Sequence, residues 1–165
     1  MKKLALISIL FLTACGFHPV YGVNKYTPVG AETKFQQISI GNIPDREGQY
    51  LRNALIDRLY RDGRATSPEY TLSLTPLRET QRDLDITIDS DTTRAQLRIE
   101  TTMRLIDTKT KEVLINRALN STASYNVLGS EFTNRVSEQS TRENILDDLA
   151  RQTEMQISLY FKQDI

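Results

Sequence analysis

The side chain with the clearest chemical task is the thiol of Cys15, which closes the stretch Leu12-Thr13-Ala14-Cys15. It is the single cysteine among 165 residues. Ahead of it stand a start Met, the cations Lys2 and Lys3, and an apolar run from Leu4 to Leu12. A charged start, a short apolar core and small residues at the cut are the layout of a secretory signal peptide. The apolar run is too short to cross a bilayer, which takes ~20 residues. Leu at −3, small residues at −2 and −1 and Cys at +1 form a lipobox. Small side chains fit the peptidase, and the thiol is nucleophilic enough to take a thioether-linked diacylglycerol. The plain alternative is a secreted protein cut by chance near a cysteine, against which the position of the lone Cys weighs. The spacing predicts a signal peptide over 1–14 and a bacterial lipoprotein acylated on Cys15, with no other cofactor. Each buried acyl methylene contributes ~0.8 kcal/mol, so several chains hold such a protein firmly in a membrane. Gly16 follows, where an Asp would favour inner-membrane retention, so the outer membrane of a Gram-negative cell is the expected site. With Cys15 acylated, no thiol is left for a disulfide, and the fold must hold by packing.

Other chemistry-bearing residues form no catalytic constellation. The one histidine, His18, lies beside Pro19, three residues from the acylation site, and is a poor general base there. Gly41, Gly48, Gly63 and Gly129 are isolated and make no phosphate-cradling loop. Asp83, Asp85, Asp89 and Asp91 could suggest a site for a hard cation, but the EF-hand Gly and distal Glu are missing. A solvated strand face ending in an acidic loop accounts for them more simply. An enzyme is not expected, and no metal site.

The elements around these residues follow from composition and period. Cys15 to Ile165 suits one domain with a true core. Without Lys2 and Lys3, the 21 cations become 19 against 21 anions, about −2, so global charge gives no support for nucleic-acid binding. Residues 15–34, with Pro19, Gly22, Pro28 and Gly30, read as an extended tether. From 35 to 165 a single domain is expected.

A short strand over 35–40 ends at Gly41-Asn42 and Pro44. A helix from about Arg46 to Arg61 follows, with Asp45 as N-cap and Leu51, Leu55 and Leu59 on one stripe with Ala54. Alternation starts at Tyr70, Leu72 and Leu74; Pro76 predicts a bulge or an edge, and alternation resumes at Leu84, Ile86 and Ile88. The clearest strand covers 93–106. Ala95, Leu97, Ile99, Thr101, Met103 and Leu105 face one way, and Arg94, Gln96, Arg98, Glu100, Thr102 and Arg104 the other. A turn over 107–111 leads to a last strand over 113–127, burying Val113, Ile115, Leu119, Ala123 and Tyr125, a pattern that Arg117 breaks. A long helix over 131–161 carries Leu146, Ala150, Thr153, Ile157 and Tyr160, widened by Leu149 and Phe161. Ser140 to Glu143 would suit a capping box, so the helix could start or kink there. The expected fold is an α+β two-layer sandwich of about four mostly antiparallel strands against two helices, in the order β-α-β-β-β-α.

The segment Cys15-Gly16-Phe17-His18-Pro19-Val20-Tyr21-Gly22 resembles the mature N-terminus of the LPS-assembly lipoprotein family LptE, in its alphaproteobacterial form. The element order agrees with that family across the mature chain. The resemblance implies an outer-membrane subunit of the LPS translocon, plugging and helping to assemble the LptD β-barrel and contacting lipopolysaccharide (LPS). Large barrels have polar interiors, which suits a domain with a Thr- and Arg-rich sheet face. The other function class in play is a lipid-anchored periplasmic adaptor or auxiliary subunit of a lipid transport system. Arg94 and Arg98 on the polar face, and Lys109 and Lys111 in the following turn, are the candidate LPS contacts, since Arg grips phosphate bidentately and Lys supplies a point charge. The two pairs lie toward opposite ends of one strand and are not expected to form one site.

Overall fold

The computed structural model describes residues 34–61, 63–64, 67–86 and 92–163. The signal peptide, Cys15, the tether as far as residue 33, and Ile88, Asp89 and Asp91 lie outside the described residues. The elements are β1 (Ile38–Ile40), α1 (Asp45–Leu59), β2 (Tyr70–Leu74), β3 (Arg78–Ile86), β4 (Thr92–Asp107), β5 (Val113–Asn126) and α2 (Glu131–Gln163). The result is an open five-stranded sheet with two helices on one face, an α+β fold.

Strand β4 is the axis. On one flank β5 runs antiparallel to it, from Arg94 opposite Asn126 to Leu105 opposite Ile115. On the other flank β2 and β3 lie end to end, both antiparallel, with β2 on Met103 to Asp107 and β3 on Thr92 to Glu100. Leu74 pairs Met103 while Arg78 pairs Glu100, so four steps on this flank match three on β4. That single extra residue is the signature of a bulge. Pro76 therefore acts as its position suggests, and the fifth strand arises because it splits one lane into two. Thr75 bridges the break. Its N–H donates to the Thr102 carbonyl at 3.0 Å, and its Oγ1 accepts the Thr102 N–H at 2.9 Å. The buried Thr101 hydroxyl donates to the Thr75 carbonyl at 2.8 Å.

Strand β1 pairs parallel with β2, Ile38 opposite Tyr70. Parallel neighbours need a crossover, which α1 supplies. The hydroxyl of Tyr60, just past α1, donates to the Ile38 carbonyl at 2.7 Å and accepts the Ile40 N–H at 3.3 Å. It so satisfies backbone groups that edge strands leave bare. At the other end of α1, Asp45 is the first helical residue with φ 68°, not the N-cap, and Pro44 in the cap position makes no side-chain cap bond. Gln49 holds this entry instead, donating to the Ile43 carbonyl at 2.9 Å and to Asn42 at 3.0 Å. The loop passes so close that a Cβ on Gly48 would lie 2.8 Å from Ile43 Cγ2.

The core lies between the helices and one sheet face. Leu51, Leu55 and Leu59 of α1 and Ile145, Leu146, Leu149, Ala150, Ile157 and Phe161 of α2 meet Leu97, Ile99, Met103 and Leu105 of β4. Each fully buried aliphatic side chain contributes ~1.5–3 kcal/mol relative to exposure. Thr153, also fully buried, donates to the Leu149 carbonyl at 2.8 Å. Helix α2 runs unbroken through Ser140 to Glu143, with neither a start nor a cap there. Its entry is held by Asn134, whose amide brackets Leu128 through the N–H at 2.7 Å and the carbonyl at 2.8 Å.

Two expected core residues are exposed, both beside bulges. Asp83 pairs Ala95 and Asp85 pairs Arg94, so Leu84 is the unpaired extra residue and is 44% exposed. Leu105 pairs Ile115 while Ile106 pairs Val113, which throws Leu114 into a bulge and moves Val113 to the uncovered face at 50% exposure. Arg117 lies opposite the buried Met103 yet is itself exposed. It stands on the outermost strand, where a long side chain can cover apolar surface and keep its charge in water.

Candidate functional site

The helices leave one face of the sheet bare. In β4 this face carries Arg94, Gln96, Arg98, Glu100, Thr102 and Arg104, all exposed or half-buried, in alternation with the buried row. Register brings Arg78 of β3 opposite Glu100, Thr80 opposite Arg98 and Arg82 opposite Gln96. Across the other flank, Asn120, Thr122, Ser124 and Asn126 face Glu100, Arg98, Gln96 and Arg94. An open hollow between β3 and β4 is lined by Arg78, Thr80, Arg82, Gln96, Arg98 and Glu100.

Five arginines thus share a face with Glu100 and with the register position of Asp85, opposite Arg94. Arg98 Nε donates to Glu100 Oε1 at 2.7 Å, the single ion pair on this face among the described residues. A chain with no formal net charge therefore presents a sheet face of about +3 by register, from Arg78, Arg82, Arg94, Arg98 and Arg104 against Glu100 and Asp85.

The expected LPS contacts fall in two places. Arg94 and Arg98 lie on this face, joined there by Arg78, Arg82 and Arg104. Lys109 and Lys111 are exposed in the turn beyond the far end of β4. That turn is rigid. Asp107 Oδ1 accepts the N–H groups of Lys109 and Thr110, each at 2.8 Å, and Lys111 takes the left-handed φ of 63°. The backbone N–H of Thr110, then that of Lys109, holds the Asp107 carboxyl below its ordinary pKa of 3.8.

Arg78 and Arg82 escaped the reading of the sequence for a physical reason. The run Arg78-Glu79-Thr80-Gln81-Arg82-Asp83 is polar on both faces, so it has no apolar alternation to announce a strand. On the helix side, Glu79 is met by Arg142 of α2, whose Nε and Nη2 donate to its two oxygens, both at 2.8 Å. Those bonds, with a further one to Glu138, raise the Arg142 pKa above its ordinary value, and burial pulls the other way. Tyr125, on β5 under the same helix, has its pKa raised, chiefly by burial. The repeat Arg-x-Thr-x-Arg over 78–82 was the available signal, legible only once the register is known.

The LptE family profile, described as lipopolysaccharide-assembly, matches residues 35–157, three quarters of the chain. The chain belongs to the LptE family. The match spans the domain from just before β1 into the last third of α2. LptE proteins are assembly proteins rather than enzymes, and this member has an assembly role for lipopolysaccharide. Solved structures with the same fold include a protein from Caulobacter crescentus CB15 described as a lipoprotein, at TM-score 0.65 and 19% identity over 81% of this chain and 96% of that one. A minor lipoprotein from Acinetobacter baumannii gives 0.62 and 22% over 76% and 92%. Rare lipoprotein B from Shewanella oneidensis gives 0.58 and 11% over 77% and 95%. At these identities the likeness is one of fold. No curated protein sequence matches the chain.

Proposed function

We propose that this LptE-family chain is an outer-membrane lipoprotein, acylated on Cys15, that plugs the LptD β-barrel of the LPS translocon. In this role it assists barrel assembly and contacts LPS during insertion into the outer leaflet. The observation that carries the reading is the bare polar sheet face laid over a dry core. A plug in a wide barrel needs a rigid interior of its own and polar walls outside, because the lumen of such barrels is polar. The strands supply the walls and the helices close the core behind them.

The deciding experiment is purification of the chain from detergent-solubilised outer membrane. A large β-barrel is expected to come with it, and depletion is expected to lower mature LptD and admit large antibiotics. Normal LptD and an intact barrier after depletion would instead favour a periplasmic adaptor. The anchor has its own test, since Cys15→Ala should abolish palmitate labelling. Labelling at wild-type level would remove the lipoprotein reading. For LPS contact, Arg94→Glu with Arg98→Glu is compared with Lys109→Glu with Lys111→Glu. One pair should weaken LPS binding at physiological salt and the other spare it; unchanged binding in both would exclude these cations.

A further inference from the structure

We propose that the arginine row on β3 and β4 is the face by which the domain docks to a protein wall bearing carboxylates. On the plug reading, on which this inference rests, that wall is the barrel lumen. The first ground is charge. Arg98 is paired with Glu100, which by register also stands opposite Arg78, and Asp85 holds the register position opposite Arg94, whereas Arg82 and Arg104 have no carboxylate opposite them among the described residues. The register sets Arg78 and Arg82 diagonally to Arg98, and Arg82 diagonally to Arg94. Diagonal neighbours in a sheet stand ~7–8 Å apart, where like charges still repel but more weakly than a pair set directly opposite. The arginines outnumber the carboxylates on this face, and the excess is left to be balanced by charge from outside.

The second ground is shape. At ~3.3 Å per residue, Arg94 and Arg104 stand about 33 Å apart along β4. A single phosphate is gripped by cations that converge on it. These guanidinium groups are spread along a flat face and match an extended surface with several separate anions. Arginine also fits the task by type: every cation on this face is Arg, which forks onto carboxylates bidentately and sheds water more readily than Lys.

The third ground is asymmetry. The β5 lane of the same face carries Asn116, Ala118, Asn120, Thr122, Ser124 and Asn126, without a charge. A wall with carboxylates over β3 and β4 and neutral polar groups over β5 can seat in one orientation only. Exposed ion pairs are each worth little, so the row acts as a set that fixes orientation and responds to salt.

The test uses the full acylated chain, captured from outer membrane through a tag on the barrel. One variant combines Arg82→Glu, Arg94→Glu and Arg104→Glu. Its control makes the same charge change on the helical layer through Arg46→Glu, Arg135→Glu and Lys162→Glu, all exposed. Both are first shown to keep the wild-type circular dichroism and Tm. At least tenfold less face variant is expected on the barrel, with the control at wild-type level and wild-type capture falling as salt rises. Wild-type capture of the face variant overturns the docking assignment while leaving the plug reading standing. A tagged barrel that brings down no wild-type chain overturns the plug reading itself, and the docking with it. In a parallel arm, each detergent-solubilised protein is captured and the labelled LPS retained on it is counted. Equal LPS binding by face variant and wild type supports a protein wall, whereas loss of LPS binding reassigns the row to phosphate.

Discussion

Strand β4 puts the two faces of the sheet one residue apart. Ala95, Leu97, Ile99, Met103 and Leu105 are fully buried under α1 and α2, while Arg94, Arg98 and Arg104 stand in water on the other side. The buried row is under tight geometric demand, since close-packed interiors tolerate neither voids nor excess volume. The bare row meets no such demand from the fold. What occupies it is therefore informative about something other than folding. A helix-free sheet face could be Thr, Ser, Lys and Glu in balance, and here five arginines outnumber Glu100 and the register position of Asp85.

The sharpest test of this division compares neighbours on one strand. Leu97→Ala should cost about 2–5 kcal/mol, the range for a buried Leu that leaves a cavity. Gln96→Ala, one residue away, should fall within about 0.5 kcal/mol, as surface changes do. Thermal unfolding of the protein measures both, with roughly 2–4 °C expected per kcal/mol at this size. If the two losses were equal, the helix layer would not be what covers this face.

Next in size is the contact that joins the faces at their margin. Arg142 is largely buried and forks onto Glu79, fastening α2 to β3. Arg142→Ala leaves Glu79 without its partner and should cost about 1–3 kcal/mol, within the range for charge-assisted bonds. Arg98→Ala breaks an equally short pair with Glu100 on the bare face. Solvent screens that pair, and its loss should be near zero to about 1 kcal/mol. Equal losses in denaturant titrations would show that burial does not separate the two pairs.

The same contrast explains how much the sequence disclosed. Where one face is dry and the other wet, the residue pattern records it. The alternation of Ala95 to Leu105 and the stripe Leu146, Leu149, Ala150, Thr153, Ile157 and Phe161 are both found as expected, with the expected Tyr160 only half-buried at the edge of the core. Strand β3 left no such record, because Glu79 opposite Ile99 is polar on the helix side too and depends on Arg142 from 63 residues further on. Leu84 and Val113 misled because single-residue bulges, invisible to a period-two count, turn them out of the buried row. The same blindness hid the cationic site. Arg94, Arg98 and Arg104 could be placed on one face from β4 alone, whereas Arg78 and Arg82 join them only through the pairing of β3 with β4.

Thr75 gives a smaller effect on the seam between β2 and β3. Its Oγ1 accepts the Thr102 N–H where the bulge interrupts the ladder. Thr75→Val keeps the shape and removes the acceptor, and should cost about 1 kcal/mol. Thr75→Ser, which retains the hydroxyl, should recover most of that loss. Failure of Ser to do better than Val would mean that the hydroxyl does not hold the seam.

The smallest effect is expected at the turn between β4 and β5, and it has a pH signature. Asp107 accepts two backbone N–H groups there, which favour its ionised form and set its folded pKa below 3.8. A carboxylate whose pKa is lower folded than unfolded stabilises the fold above the unfolded value. That contribution disappears as pH falls through the folded value. Asp107→Asn keeps an acceptor oxygen and removes only the charge. The group lies at the surface, where solvent screens its charge, so the Tm difference at neutral pH should be small. It should shrink further as pH drops below about 3.8, where the wild-type carboxyl also becomes neutral. Parallel melting series of the two proteins from pH 7 to pH 2 measure this. A gap that stayed constant across the series would show that the turn is held by its geometry and not by the charge.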